Sequence, residues 1–230
     1  MKKITGIQFI LGGLGVFIPY TILTITFDYP DILRLDPAEI LVKFREGGHS
    51  LIFTWWLFAI LGLPMVIAYV QLGKELEDKS PAMRWITVLG VTGLFAQLIG
   101  LLRWAFVVPI LAEQYFIGDA TEKEIAVSLF RVIHQYGGVV LGEHLGQLFT
   151  IIWVMGISYI LNAQKLVKPW MTMLGYGSSA IYILAQAELV ATVIPGFPVW
   201  DLAGFIGSTL WLIWLIAIGI LLIFSSKIKE

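Results

Sequence analysis

The chain has no cysteine and little charge, and each shortage removes a class of function. Without cysteine there is no disulfide framework, no thiolate metal site and no cysteine nucleophile. Only 13% of the 230 residues are charged and the formal net charge is −1, whereas a soluble domain carries roughly 25% charged residues. No basic patch is available to neutralise phosphates, which argues against a nucleic-acid partner. There is no glycine-rich phosphate loop after a strand, and no serine or threonine stands at a suitable spacing from a base. Internal repeats and low-complexity linkers are also missing.

What is present is apolar. Hydrophobic residues make up 58% of the chain and the mean hydropathy is +0.87, the composition of an integral membrane protein. The expected fold class is all-α, a polytopic membrane helical bundle forming one domain over 1–230. A membrane span needs about 20 mostly apolar residues. Six segments satisfy that requirement: 4–27, 49–72, 83–112, 137–161, 170–194 and 200–224. The first follows Lys2 and Lys3 as a signal peptide would, but it is too long and lacks a small-residue cleavage site, so it reads as a retained helix.

One set of flanks carries Lys2, Lys3, Lys74, Lys79, Arg84, Lys165, Lys168, Lys227 and Lys229, and the other is acidic with fewer cations. The positive-inside rule then places both termini in the cytoplasm. The first outer loop, DYPDILRLDPAEILVKFREGG, allows a short amphipathic helix over 37–45 with Ile40, Leu41 and Phe44 on one side. Such a helix would lie on the outer membrane surface, or it would act as a lid over an outward-facing pocket.

The topology puts the deep charges in one half of the bilayer. At about 1.5 Å of rise per residue, Arg103 lies about 13 Å inside the outer end of the third segment and Glu188 about 9 Å inside that of the fifth. Glu143 and His144 fall in the outer third of the fourth, while His134 and His49 fall near the interface. A charge within the membrane costs at least about 2.5–3.5 kcal/mol on insertion scales, so it pairs or faces a wet cavity. Two readings follow. Arg103 pairs with Glu143 or Glu188 to fix helix packing, or Arg103, Glu143, His144, Gln147 and Glu188 form a ligand site reached from outside.

The stretch HQYGGVVLGEHLGQLFT, residues 134–150, shows how such a site would be built. Gly138, Gly142 and Gly146 repeat every fourth residue and make a smooth stripe against which another helix, or a second copy in a homodimer, packs closely. On a straight α-helix with Gly142 at zero, Glu143 points to about 100°, Gln147 to about 140° and His144 to about 200°, one polar sector beside the stripe. His134 falls near about 280° and about 15 Å away, so the two histidines do not share an ion unless Gly137 and Gly138 break the helix. Pro19, Pro64 and Pro109 lie inside segments and are expected to kink them.

The stretches LLRWAFVVPILAEQY, residues 101–115, and GEHLGQLFTIIW, residues 142–153, resemble a bacterial family of six-span membrane proteins known as a domain of unknown function, DUF4386. The resemblance implies that Arg103, Trp104, Pro109, Glu143 and His144 belong to the family pattern, and it brings no activity with it. A bacterial cytoplasmic membrane is the expected location.

Three functions fit these residues. The first is a transporter- or sensor-like binding protein with an outward pocket for a small ligand or cation, in which Arg103 supplies positive charge, Glu143 and Glu188 accept, and His144 switches protonation. The second is a b-type haem protein with His144 as axial ligand and His134 or His49 as weaker partners. The third is a metal-dependent intramembrane hydrolase with a divalent ion held by His144, Glu143 and Glu188.

Overall fold

The computed structural model describes residues 2–224, so Lys227 and Lys229 of the basic flank lie outside the described residues. Among the described residues every regular element is helical. Apolar surroundings dictate this, because backbone N–H and C=O groups that cannot reach water must bond within their own segment. The elements are α1 (Lys2–Phe27), a 3₁₀ turn (Asp31–Arg34), α2 (Pro37–Ile60), α3 (Leu63–Leu76), α4 (Met83–Phe106), α5 (Val108–Ile117), α6 (Ala120–Ile133), a π-helical stretch (His134–Leu145), α7 (Gly146–Ala163), α8 (Pro169–Ala191) and α9 (Ala203–Phe224).

Several of these run on as longer rods. The units 37–76, 83–117 and 120–163 are each long and apolar enough to cross a membrane, as are α1 and α9, giving five such units. The fifth expected span, 170–194, corresponds to α8, which carries Gly175, Gly177, Ser178, Ser179, Gln186 and Glu188 and is not among those five. Pro64 and Pro109 stand where α3 and α5 begin, so each proline starts a new helix after a break. Pro19, in contrast, lies within an α1 that continues to Phe27.

The rods close into a ring. Starting from α1, contacts run to α9, α8, α7 and α4, and from α4 through α2 and α3 back to α1. Two aromatic-rich cores hold it together. In one, Tyr69 stacks on Trp153 at 3.4 Å, with Trp214 edge-on to Trp153. In the other, Trp55 stacks on Trp104 at 4.8 Å, with Phe27 edge-on to both.

The second core corrects the expectation for the outer loop. The residues 37–45 are helical as expected, capped by the Asp36 side chain on the Ala38 N–H. However, Ile40, Leu41 and Phe44 are buried against protein, in the core that holds Phe27, Trp104, Ala112 and Phe130. Their apolar face is therefore not free to lie on a lipid surface. The helix joins the following segment through a bend at Gly48, whose φ of 57° and ψ of −154° is a backbone state that only glycine adopts readily. The segment before residue 134, expected to be an outer loop, forms α6, started by a reciprocal capping box between Asp119 and Glu122.

The glycine stripe faces its own chain. A β-carbon at Gly142 would stand 3.2 Å from Gly100 Cα, and one at Gly146 would stand 2.5 Å from Gln97 Cγ, so both glycines bring the π-helical stretch and α7 onto α4. The face offered to a homodimer partner by Gly138, Gly142 and Gly146 is filled by α4 of the same chain.

This packing makes a specific demand on Gly100, whose added β-carbon would meet Gly142 Cα at 2.7 Å. Gly100→Leu is expected to lower stability by about 1–3 kcal/mol through overpacking. Gly177→Ala, with nothing within reach of the new carbon, is expected to be neutral or stabilising by up to about 1 kcal/mol. Thermal unfolding of both variants in detergent checks this, and a Gly100→Leu protein as stable as the parent would contradict the close approach.

Candidate functional site

The ring encloses a cavity of about 620 Å³ lined by residues of both aromatic cores and of every membrane-length rod. Its wall is largely apolar, with Trp55, Phe58, Met65, Leu94, Trp104 and Phe205 among the lining residues. Its charged lining residues are Asp31, Arg34, Arg103, Glu143, Glu188 and Asp201.

The central cation is Arg34, which sequence reasoning placed in an outer loop and left out of the site. The loop after α1 folds back over the bundle because Ile32 and Leu33 are buried in the second core, and this carries the Arg34 guanidinium inward. Arg34 Nη2 donates to Glu143 Oε2 at 2.6 Å, and Nε stands 2.7 Å from Glu188 Oε1 as an ion pair rather than an aligned hydrogen bond. Burial works against the charged guanidinium, but Glu143 and Glu188 outweigh it and hold Arg34 above its ordinary pKa. Its share of stability is therefore complete at neutral pH and is lost only as pH rises beyond the ordinary guanidinium range. Tyr29, in the same loop, is pushed well above its ordinary value by burial and by neighbouring Tyr20 and Glu143, so it stays a neutral phenol.

The structure thus brings Glu143 and Glu188 together, but on Arg34 and not on Arg103. Arg103 is 8% exposed and lines the same cavity. Its Nη1 donates to the Gly100 carbonyl, and Nη2 stands 3.5 Å from His134 Nδ1. Gly138 leaves room for this group, since a β-carbon there would collide with the guanidinium. Arg103 Nε and Glu143 Oε1 are both buried without a protein hydrogen-bond partner.

His134 is buried within the protein. It is 8% exposed, because α6 carries the chain into the bundle before residue 134 instead of leaving it in a loop. Its Nε2 lies 3.0 Å from the Leu33 carbonyl, which can only accept, so Nε2 carries the proton and Nδ1 accepts from Arg103. Both ring nitrogens thus have partners within the protein. His49 is exposed beside the Gly48 bend and does not line the cavity.

His144 also stands outside the cavity lining. Its Nδ1 is 2.7 Å from Gln186 Oε1 and donates to it, and Gln186 in turn donates through Nε2 to Gln147, which does line the cavity. The angular prediction for the polar sector assumed α-helical turns. Residues 134–145 instead form a π-helix, whose i→i+5 bonding turns each residue through a smaller angle. Among the described residues no group of three His, Cys, Asp or Glu side chains is placed to hold a metal, so the ligand set for a hydrolytic ion is not assembled.

Helices of this length and apolarity, closed around a charged cavity, define a multi-pass membrane protein. The chain belongs to the family described as a domain of unknown function, DUF4386, whose model matches residues 4–219. No curated protein and no solved structure matches it.

The Arg34 bridge ties a loop to two helices, so its parts are expected to act as a unit. Arg34→Gln should lower stability by about 1.5–3 kcal/mol, the range for hydrogen bonds to charged groups. A double-mutant cycle of Arg34→Gln with Glu143→Gln should give a coupling of at least about 0.5 kcal/mol. Losses that simply add in detergent unfolding would show that the two side chains do not interact.

Proposed function

We propose that the protein is a membrane-embedded binding protein, transporter- or sensor-like, whose cavity takes a small ligand from the side bearing residues 28–36. On this reading α8 crosses with the five longer units, giving six spans with both termini in the cytoplasm. Glu143, Gln147, Glu188 and Arg103 contact the ligand, and Arg34 holds the two carboxylates in place. His144 acts at one remove, through Gln186 and Gln147.

The observation that carries the proposal is the cavity itself. At about 620 Å³ it falls within the roughly 300–1,000 Å³ of small-molecule sites, and it has their usual make-up of an apolar wall with a few convergent polar groups. A charge set used only to pack helices would satisfy its own groups; here a buried acceptor and a buried donor, Glu143 Oε1 and Arg103 Nε, have no protein partner. Arg34 sits where the loop meets the bundle, which suits a group that couples occupancy to loop position.

The absence of cysteine makes access directly measurable. Ser208 lines the cavity, whereas Ile213, on the same helix, is 47% exposed on the apolar outside. Ser208→Cys is expected to react with a charged, membrane-impermeant methanethiosulfonate added from the side of residues 28–36. Ile213→Cys should stay unmodified, because a thiol in lipid does not ionise to the reactive thiolate. Equal reaction of the two, or no reaction at Ser208→Cys from either side, would contradict a water-accessible cavity.

A further inference from the structure

Resting on that reading of the cavity, we propose that its ligand is an amphiphile, an acyl-chain or similarly apolar body carrying a head with one anionic oxygen group and an adjacent N–H donor. Three features of the cavity point to this chemistry.

The first is the state of Arg103. Its guanidinium is more than nine-tenths buried, and it forms no ion pair with any described carboxylate; its hydrogen bonds go to a carbonyl and to an imidazole. Both carboxylates that might have neutralised it, Glu143 and Glu188, are engaged by Arg34. The hydrogen-bond partners of Arg103 are neutral and Glu143 acts on it only through the field without touching it; a buried cation held in this way gains from an anion that reaches it directly. Arg103 Nε has no protein partner and is closed off in this conformation; a turn of the guanidinium toward the cavity would offer that N–H to a carboxylate or phosphate oxygen.

The second is Glu143. Arg34 takes one of its oxygens, while Oε1 is buried and unpartnered. An ionised carboxylate oxygen is an acceptor only, so what satisfies it must be a donor. Charge agrees with this: the two carboxylates around Arg34 leave an excess of one negative charge, to which Asp31 and Asp201 on the cavity lining add. Next to it stands one unpaired positive charge, that of Arg103. A head that presents an anionic oxygen to Arg103 and an N–H to Glu143 complements both at once, whereas a simple anion satisfies the first and meets repulsion from the second.

The third is the rest of the wall. Trp55, Phe58, Met65, Leu94, Trp211 and Leu212 also line the cavity. A small polar solute would leave that surface wet; an apolar body covers it and gains from leaving water or lipid headgroups.

Lysophosphatidylethanolamine carries all three elements: an acyl chain, a phosphate and a primary ammonium. The test compares the concentration at which it raises the thermal unfolding temperature of the purified protein, at fixed dodecyl maltoside, with those of three relatives. Lysophosphatidylcholine keeps the chain and phosphate but has no N–H; monoacylglycerol has no charge; free phosphoethanolamine has no chain. The expected result is saturable stabilisation by lysophosphatidylethanolamine, with each relative weaker by about tenfold or more. Arg103→Lys, which keeps the charge and loses Nε, and Glu143→Gln should each weaken it by about tenfold. Glu143→Gln should also erase the preference over lysophosphatidylcholine.

Equal potency of ethanolamine and choline lipids in the unaltered protein would overturn the proposal without needing any variant to fold. Phosphoethanolamine alone binding as well as the lipid would overturn the amphiphile and assign a soluble zwitterion. If none of the four stabilises the protein while Ser208→Cys is labelled, the ligand class is wrong and the cavity stands; if Ser208→Cys is unlabelled too, both fail.

Discussion

The arrangement depends on one constraint: two carboxylates from different helices, Glu143 and Glu188, stand within reach of one guanidinium in the interior of an apolar bundle. Neither could be left unpaired there at tolerable cost. The cation that meets them comes from a loop and not from a neighbouring helix, which links three parts of the chain. The 3₁₀ turn must fold inward, so Ile32 and Leu33 become core residues. The π-helical stretch presents Glu143 and takes its own anchor from His134 on the Leu33 carbonyl. The loop is thus fastened at adjacent residues, by its backbone at Leu33 and its side chain at Arg34.

The same constraint gives Arg103 its unusual position. With the carboxylates engaged elsewhere, it is held by a carbonyl, an imidazole and the space that Gly138 leaves. The glycine stripe therefore does two things. Gly142 and Gly146 bring α4 close, and Gly138 accommodates a charged group that lines the cavity. Close helix packing and room for a cavity-lining charge share one face of one segment, which explains why polar residues stand beside glycines in a stretch otherwise fit for lipid.

How far the sequence alone reaches can be judged from particular residues. Long apolar runs are legible because a membrane leaves the backbone few alternatives to helix, and the clustering of Glu143 and Glu188 at one end followed from counting residues along those runs. Arg34 was not legible: a lone arginine in an acidic loop carries no periodic signal, and its partners lie 109 and 154 positions away in the chain. The π-helix escaped for a related reason. In a segment apolar on most sides, changing the hydrogen-bond step from four residues to five leaves no mark on the hydrophobic pattern, although it redirects every side chain. The burial of His134 was not legible because amphipathic α6, rich in charge, reads as a loop; its continuation into the bundle is set by Ala126 and Phe130 packing into the second core. Gln97 and Gln186 were passed over since an amide in a membrane helix gives no sign of its partner until the neighbouring helix is placed.

The central claim, that this charged cavity is a binding site and not a packing defect, is tested most directly by native mass spectrometry of the protein gently released from detergent. A co-purified small molecule held one-to-one, and lost when Arg103 is replaced by Gln in a protein that remains folded, is the expected result. A parent protein that emerges bare, or an adduct retained unchanged in that variant, would contradict it.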